Sequence, residues 1–423
     1  MTVYDTSWRL SAYLAAGPED DTATAAKELA LAAVESWSQL QQADIEFELM
    51  FMEPTTYKLS VLSASPAAIM VELFEASGCK GLYMKEVFAS HGVTAQRIAY
   101  GEDWSIDQWA GNALMSSEDL EGFTELPYSA ELPLSLEALH AVGVSMSRMH
   151  AVPIDWFEPI EADMRIRNST LLHTPKGHQL WLFAMFAAET VDRRIWNLPG
   201  EIVQLWFELD LGCPFHPATS RLVCSNGDFG PHNLFQKHPA DPFALASFEK
   251  SLVHHAVVDI AYAAVDWCSK PSNFALRKGL VRAYLQQSGF PDDDEQVELV
   301  LLDAEMSSLK QPGALRSPIP EGQQPAPDGL PETQDDPFSL ASLVDSIACT
   351  DPEMSRELVQ TKLILCDDAR KLLNSARADA ELRRVIAEKG IRGCKQFRAI
   401  MKADAGRVLK VKEAILQRER GGS

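Results

Sequence analysis

In Leu222–Phe235, "LVCSNGDFGPHNLF", Asp228 is followed by four residues and then Asn233, with apolar runs on both sides. A carboxylate placed so can orient a hydroxyl nucleophile and accept its proton. An amide oxygen can ligate a hard dication. Asn, Gly, Asp and Pro are also ordinary turn residues, so the spacing alone leaves both readings open. His254 and His255 offer less: neighbours in a strand or loop point apart, and no third ligand stands at metal-site spacing.

The elements around the loop narrow the choice. Residues 1–45 read as helical, with Leu29, Ala32, Ala33 and Trp37 at helical spacing. Residues 46–75 change to strand patterns in "IEFELMFM", "YKLSVL" and "AAIMVELF". A helix is expected over 82–91, ending at Gly92, and a short strand with a connector over 104–111. Helices follow at 135–152 and 177–210. After the Asp228 loop comes a short strand near 243–249, then helices at 256–268, 275–288 and 294–308. Strands first and helices later predict a small sheet-bearing lobe followed by a larger helical one.

Residues 311–337 hold seven of the 24 prolines and few apolar residues, as expected of an extended linker. Beyond them 351–420 is helix-forming and ends in a basic run. That tail reads as a solvated extension, with docking on the chain's own body or on a partner protein as the other readings.

Composition sets outer bounds. A chain of 423 residues with 46% hydrophobic residues can bury a sizeable core. A net charge of -22 argues against nucleic acid or an anionic membrane surface as the main partner. Seven cysteines, none in a CxxC pair, read as reduced thiols. The N-terminus lacks a signal-peptide pattern, and no apolar run approaches the ~20 residues of a membrane span. A cytoplasmic protein is expected.

Past Asn233 the chain reads "FALASFEKSLVHHAVVDIAYAAVDW". With the Asp228 loop, this stretch resembles the choline/ethanolamine kinase family, within the aminoglycoside-phosphotransferase-like kinases. In that family a strand carrying Asp-Phe-Glu follows the loop, then Phe-Asp-Ile/Leu-Ala, then Glu-Trp. The corresponding frame here is Ser247-Phe248-Glu249, Val258-Asp259-Ile260-Ala261 and Asp266-Trp267, with the spacing kept. "WSIDQWAG" resembles the inter-lobe connector, and "VSMSRMHAVPIDWF" (144–157) the Leu-His helix. The resemblance covers about residues 30–310 and is densest over 220–290.

The resemblance implies an α+β, two-lobed protein-kinase-like fold with a helical C-terminal extension. Its parts would be an N-terminal helix and N-lobe (1–103), a helical C-lobe (104–310), the linker (311–337) and the extension (338–423). It implies Asp228 as catalytic acid-base and Asn233 as magnesium ligand and so part of the ATP site. Glu249, Asp266 and Trp267 would be the substrate side, suited to a small amino alcohol. Trp267 also reads as a core tryptophan. Asp259 reads as a buried acid that fixes the catalytic loop.

Two family positions are degenerate. Ser247 replaces the second metal-binding carboxylate, and Glu72 stands where the strand should offer the phosphates a lysine or arginine. The acid expected on the next helix falls at Gly81 by an ungapped count from Gly92, with Glu86 out of register. "LMFMEPTTYKLSV" lacks the glycines of a phosphate loop. Asn226 takes the place of the histidine before the catalytic acid. Lys58 and Lys80 are the basic residues left to substitute. The expectation is therefore a kinase-like fold, ancestrally phosphorylating an amino alcohol with ATP and Mg²⁺, with impaired catalysis and a pseudokinase-like binding or scaffold role. The alternative is an active kinase on choline, ethanolamine or another hydroxyl substrate with a rebuilt nucleotide site.

Overall fold

The structure, a computed structural model, describes residues 19–52, 55–73, 79–101, 103–114, 134–154, 215–227, 229–239, 241–248, 251–268, 274–308 and 352–421. The helices expected at 177–210 and the proline-rich stretch lie outside these residues. The chain divides into two compact units, the first holding the N-terminal region and 223–253, the second most of the rest.

The first unit is built on a five-stranded antiparallel sheet. Its strands are β1 (Glu46–Met52), β2 (Thr55–Ser60), β3 (Ala68–Leu73), β4 (Arg97–Tyr100) and β5 (Trp104–Gln108), in the order β1-β2-β3-β5-β4. Alternation gives the sheet two unlike faces. Ile69, Val71 and Leu73 of β3 and Trp104 and Ile106 of β5 join one apolar core with Tyr57, Leu59 and Trp37. Helix α1 (Glu19–Ala33) covers that face with Ala23, Ala26, Leu29 and Ala30. The intervening positions Glu72, Ser105 and Asp107 turn to the other side and are buried there.

Helix α2 (Cys79–Ser90) follows β3. It begins before the expected 82, and β4, four residues long, has no counterpart in the sequence reading. A register irregularity between Arg97 and Ala99 lets Arg97 reach Asp107 while Ala99 stays in the apolar core. A smaller sheet joins β6 (Asn112–Ala113), β8 (Leu234–Gln236) and β9 (Ala244–Leu245). Gly111 precedes β6 with φ +112, and a Cβ there would stand 2.1 Å from the Gln236 carbonyl. The register needs glycine at this position. Two other elements frame the loop region, helix α3 (Leu136–His150) and strand β7 (Leu222–Ser225). Ser145 of α3 accepts a hydrogen bond from Phe243 N–H at 2.7 Å, fixing the turn before β9.

The second unit is helical. It contains α4 (Pro217–Ser220), α5 (Val257–Ala261), α6 (Arg277–Gln287), α7 (Asp294–Ser308), α8 (Pro352–Ala378), α9 (Ala380–Gly393) and α10 (Lys395–Gly421), and strand β10 (Leu252–His255) runs into it. Asp293 caps α7 through Gln296 N–H, and Asp379 caps α9 through Glu381 and Leu382 N–H. The C-terminal helices are not a solvated extension. Leu302 and Met306 of α7 share one core with Leu373, Ile386, Ile391 and Phe397. The physical reason is that their apolar stripes have a partner on α7 to bury against.

Buried Arg277 completes the join. Its guanidinium donates to the carbonyls of Ile386 and Ala387 and pairs with Glu305. Glu305 also accepts from Ile391 N–H at 3.0 Å, across a kink where Gly390 adopts φ +71.

Candidate active site

Asp228 and Glu249 lie outside the described residues, so the site is built from their neighbours. Strand β7 leads into Asn226, which is fully buried and donates to the Ala246 carbonyl at 3.2 Å. Gly227 follows with φ +77, and its N–H bonds Ser225 Oγ. An asparagine thus anchors the Asp228 loop to the segment that carries Ser247.

Asn233 closes a single 3-10 turn, Pro231–Asn233, and is 3% exposed. Its carbonyl accepts from Ala246 N–H at 2.9 Å, and β8 pairs with β9 through Leu234↔Leu245 and Phe235↔Ala244. The two expected metal-side positions, Asn233 and Ser247, are therefore brought together at one end of a hairpin. Ser247 has φ +59, a conformation that costs a non-glycine residue about 1–2 kcal/mol. The next residue, Phe248, is buried and stacks on Phe88 of α2, with centroids 4.9 Å apart.

Helix α2 also carries what sequence reasoning missed. Lys85 Nζ lies 2.6 Å from Glu72 Oε2 on β3 and 2.6 Å from Asp107 Oδ2 on β5. Arg97 Nε approaches the other oxygen of Asp107 at 3.6 Å, and Ser105 Oγ donates to Asp107 at 3.2 Å. Lys85 is 1% exposed and Asp107 is completely buried, so water screens neither. Burial alone would pull the Lys85 pKa down, but the carboxylates of Asp107 and Glu72 outweigh it and the net shift is upward.

Glu72 thus does not face open solvent as a bare repelling charge; it is 4% exposed and paired. Its helix partner is Lys85, not the Gly81 position reached by counting. The missed signal was three charges, Lys85, Arg97 and Asp107, each next to an apolar residue of its helix or strand. Lys58 pairs with Glu48 at 2.9 Å and sits over the Trp109 ring.

Of the substrate-side positions, Asp266 and Trp267 fall in the second unit. Trp267 is 2% exposed, the environment of a core tryptophan. Asp266 ends a wide π-helical turn, Tyr262–Asp266. Asp259, also buried, has its carboxylate 3.5 Å from His254 Nε2. His255 Nδ1 lies within hydrogen-bond reach of the Ser220 carbonyl. No group of three or more His, Cys, Asp or Glu side chains suited to a metal occurs among the described residues.

Comparison with solved structures places this architecture. An ethanolamine kinase from Plasmodium vivax superposes with a TM-score of 0.51 at 11% identity, over 85% of this chain and 92% of that one. The fold is kinase-like. A choline kinase from Cryptosporidium parvum gives a TM-score of 0.47 at 14% identity, over 82% and 95%. A macrolide 2'-phosphotransferase from Brachybacterium faecium gives 0.43 at 12%, over 67% and 90%. No family model and no curated protein matches the sequence. The sheet-bearing N-terminal region and helical C-terminal region are those expected of this architecture. No described helix is long and apolar enough to cross a membrane.

Proposed function

We propose that this chain is a choline/ethanolamine kinase-like phosphotransferase fold in which the ancestral transfer from ATP to a small amino alcohol is impaired, and that it works as a binding or scaffold module. The observation that carries the reading is the Glu72–Lys85–Asp107 cluster. Kinases of this fold need a strand cation to hold the nucleotide phosphates and a helix carboxylate to hold that cation. Here the strand supplies a carboxylate, and the helix lysine is 1% exposed between two acids.

The metal side supports the same reading. A magnesium ion bound with nucleotide takes one or two carboxylates as well as the phosphates. Ser247 offers a neutral hydroxyl beside Asn233, so these two residues do not fit that donor set. Asp228 keeps the residue type of the acid-base, and Glu249 and Asp266 remain the residues assigned to an amino-alcohol ligand, while Trp267 is buried as a core residue. Each lost contact of several kcal/mol costs orders of magnitude in rate, since about 1.4 kcal/mol is tenfold.

The test is phosphoryl transfer from Mg²⁺-ATP to choline and to ethanolamine, with Asp228→Ala as control. Turnover no higher than the control is expected from folded protein. Turnover that vanishes in the control would overturn the reading and establish an active kinase with a rebuilt nucleotide site.

A further inference from the structure

The geometry points to a charge-exchanged strand–helix ion pair: Glu72 and Lys85 keep the contact that ties β3 to α2 but reverse its polarity, and this reversal weakens nucleotide phosphate binding. The inference rests on the kinase-like reading of the site and names the residues that set its ligand preference.

Three observations support it. First, the contact itself is intact. Glu72 lies on the β3 face opposite Val71, and Lys85 reaches it at 2.6 Å. An active kinase ties the same strand to the same helix through a strand lysine and a helix glutamate. Second, the reversal is accommodated locally. With the base on the helix, Asp107 of β5 adds a second carboxylate at 2.6 Å, and Arg97 stands 3.6 Å from Asp107. Two acids and two bases thus share one buried layer, with no excess charge among them. Third, the pair is desolvated, with Lys85 at 1% and Glu72 at 4% exposure. Charges in such a layer act at low effective dielectric, so their sign matters to any anion brought near the strand.

The strand position therefore offers a paired carboxylate where a triphosphate needs a cation. Simple loss of the cation would have left a neutral residue. An exchange keeps the helix anchored while it disfavours the anion. Specificity is often built this way, with a repulsive group opposed to the unwanted ligand.

The test exchanges the pair back. Glu72→Lys combined with Lys85→Glu preserves the charge balance of the layer, whereas either change alone leaves it two charges out of balance. Thermal unfolding and equilibrium binding of Mg²⁺-ATP are measured on the wild type, both single variants and the double variant. The expected result is that each single variant melts well below wild type and the double variant recovers most of the loss. The double variant should bind Mg²⁺-ATP at least tenfold more tightly than wild type. A double variant that melts like wild type without tighter binding overturns the inference.

If the double variant does not fold, Glu72→Gln decides the matter. It removes the strand carboxylate's charge while Asp107 still holds Lys85. A gain of about threefold or more in Mg²⁺-ATP affinity supports the inference, and unchanged affinity overturns it. Phosphoryl transfer is scored separately. Turnover by the wild type would sink the proposed loss of activity, while the affinity ratio between double variant and wild type would still judge the exchange.

Discussion

Arg277→Met should unfasten the C-terminal helices from α6 and α7. The methionine keeps an aliphatic stem but donates no hydrogen bond. Wild-type Arg277 is completely buried and donates at 2.7–3.0 Å to the carbonyls of Ile386 and Ala387, besides pairing with Glu305. Its loss takes the guanidinium from a buried Glu305 carboxylate that still accepts from Ile391 N–H, and removes the same donor from two carbonyls. Breaking a buried pair from one side costs about 3–5 kcal/mol, and stranded acceptors add to it. At roughly 2–4 °C per kcal/mol for a unit of this size, the melting temperature should fall by about 6–20 °C. Differential scanning fluorimetry checks the shift, and limited proteolysis checks where the chain opens. Arg277→Met with Glu305→Leu should lose less than the sum of the two single changes, because the stranded carboxylate has gone too. Lys371→Ala, which breaks an exposed pair with Asp367, should leave the melting temperature unchanged. An Arg277→Met protein melting within about 2 °C of wild type, or additive single and double variants, would refute the clamp.

Asp303 makes a pH prediction. Its carboxylate accepts from Phe215 and His216 N–H and from Thr219 Oγ1, and burial pushes its pKa from 3.8 up to about 6. The native state holds this proton more tightly than the unfolded chain, so the contribution is full below about pH 4 and lost as pH rises through 6. The stability of wild type relative to Asp303→Asn should therefore fall by up to about 3 kcal/mol between pH 4 and 7, measured by denaturant titration at each pH. A flat difference would mean that the raised pKa is absent. Gly111→Ala drives a Cβ to 2.1 Å from backbone at φ +112, and should cost about 3 kcal/mol or more by thermal unfolding. Wild-type stability in that variant would show that the connector can rearrange.

The kinase-like fold was legible because its strongest signals are local. The alternation of 46–75 and the Ser247–Trp267 frame need only neighbouring residues to be read. Strand β4 was not, since four residues with a register irregularity carry too little periodicity. The Glu72 partner failed for a different reason. An ungapped count reached Gly81, four residues before Lys85 and so on the same face of the helix, one turn away. Helix phase is local information, but the depth at which a helix docks is set by packing such as Phe88 on Phe248. Arg277 was illegible for a similar reason. An arginine in an amphipathic helix reads as a surface residue until another helix covers it.

The two-faced sheet also guards its own assembly. A slip of β3 by one residue would put Glu72 among Trp37, Tyr57 and Trp104, and would set Val71 against Lys85. Oil meeting oil tolerates such a slip cheaply; a carboxylate stranded in that layer does not, at several kcal/mol. Ions that contribute little to net stability can thus act as a proofreading mark, disfavouring a mispaired β3 in this sheet.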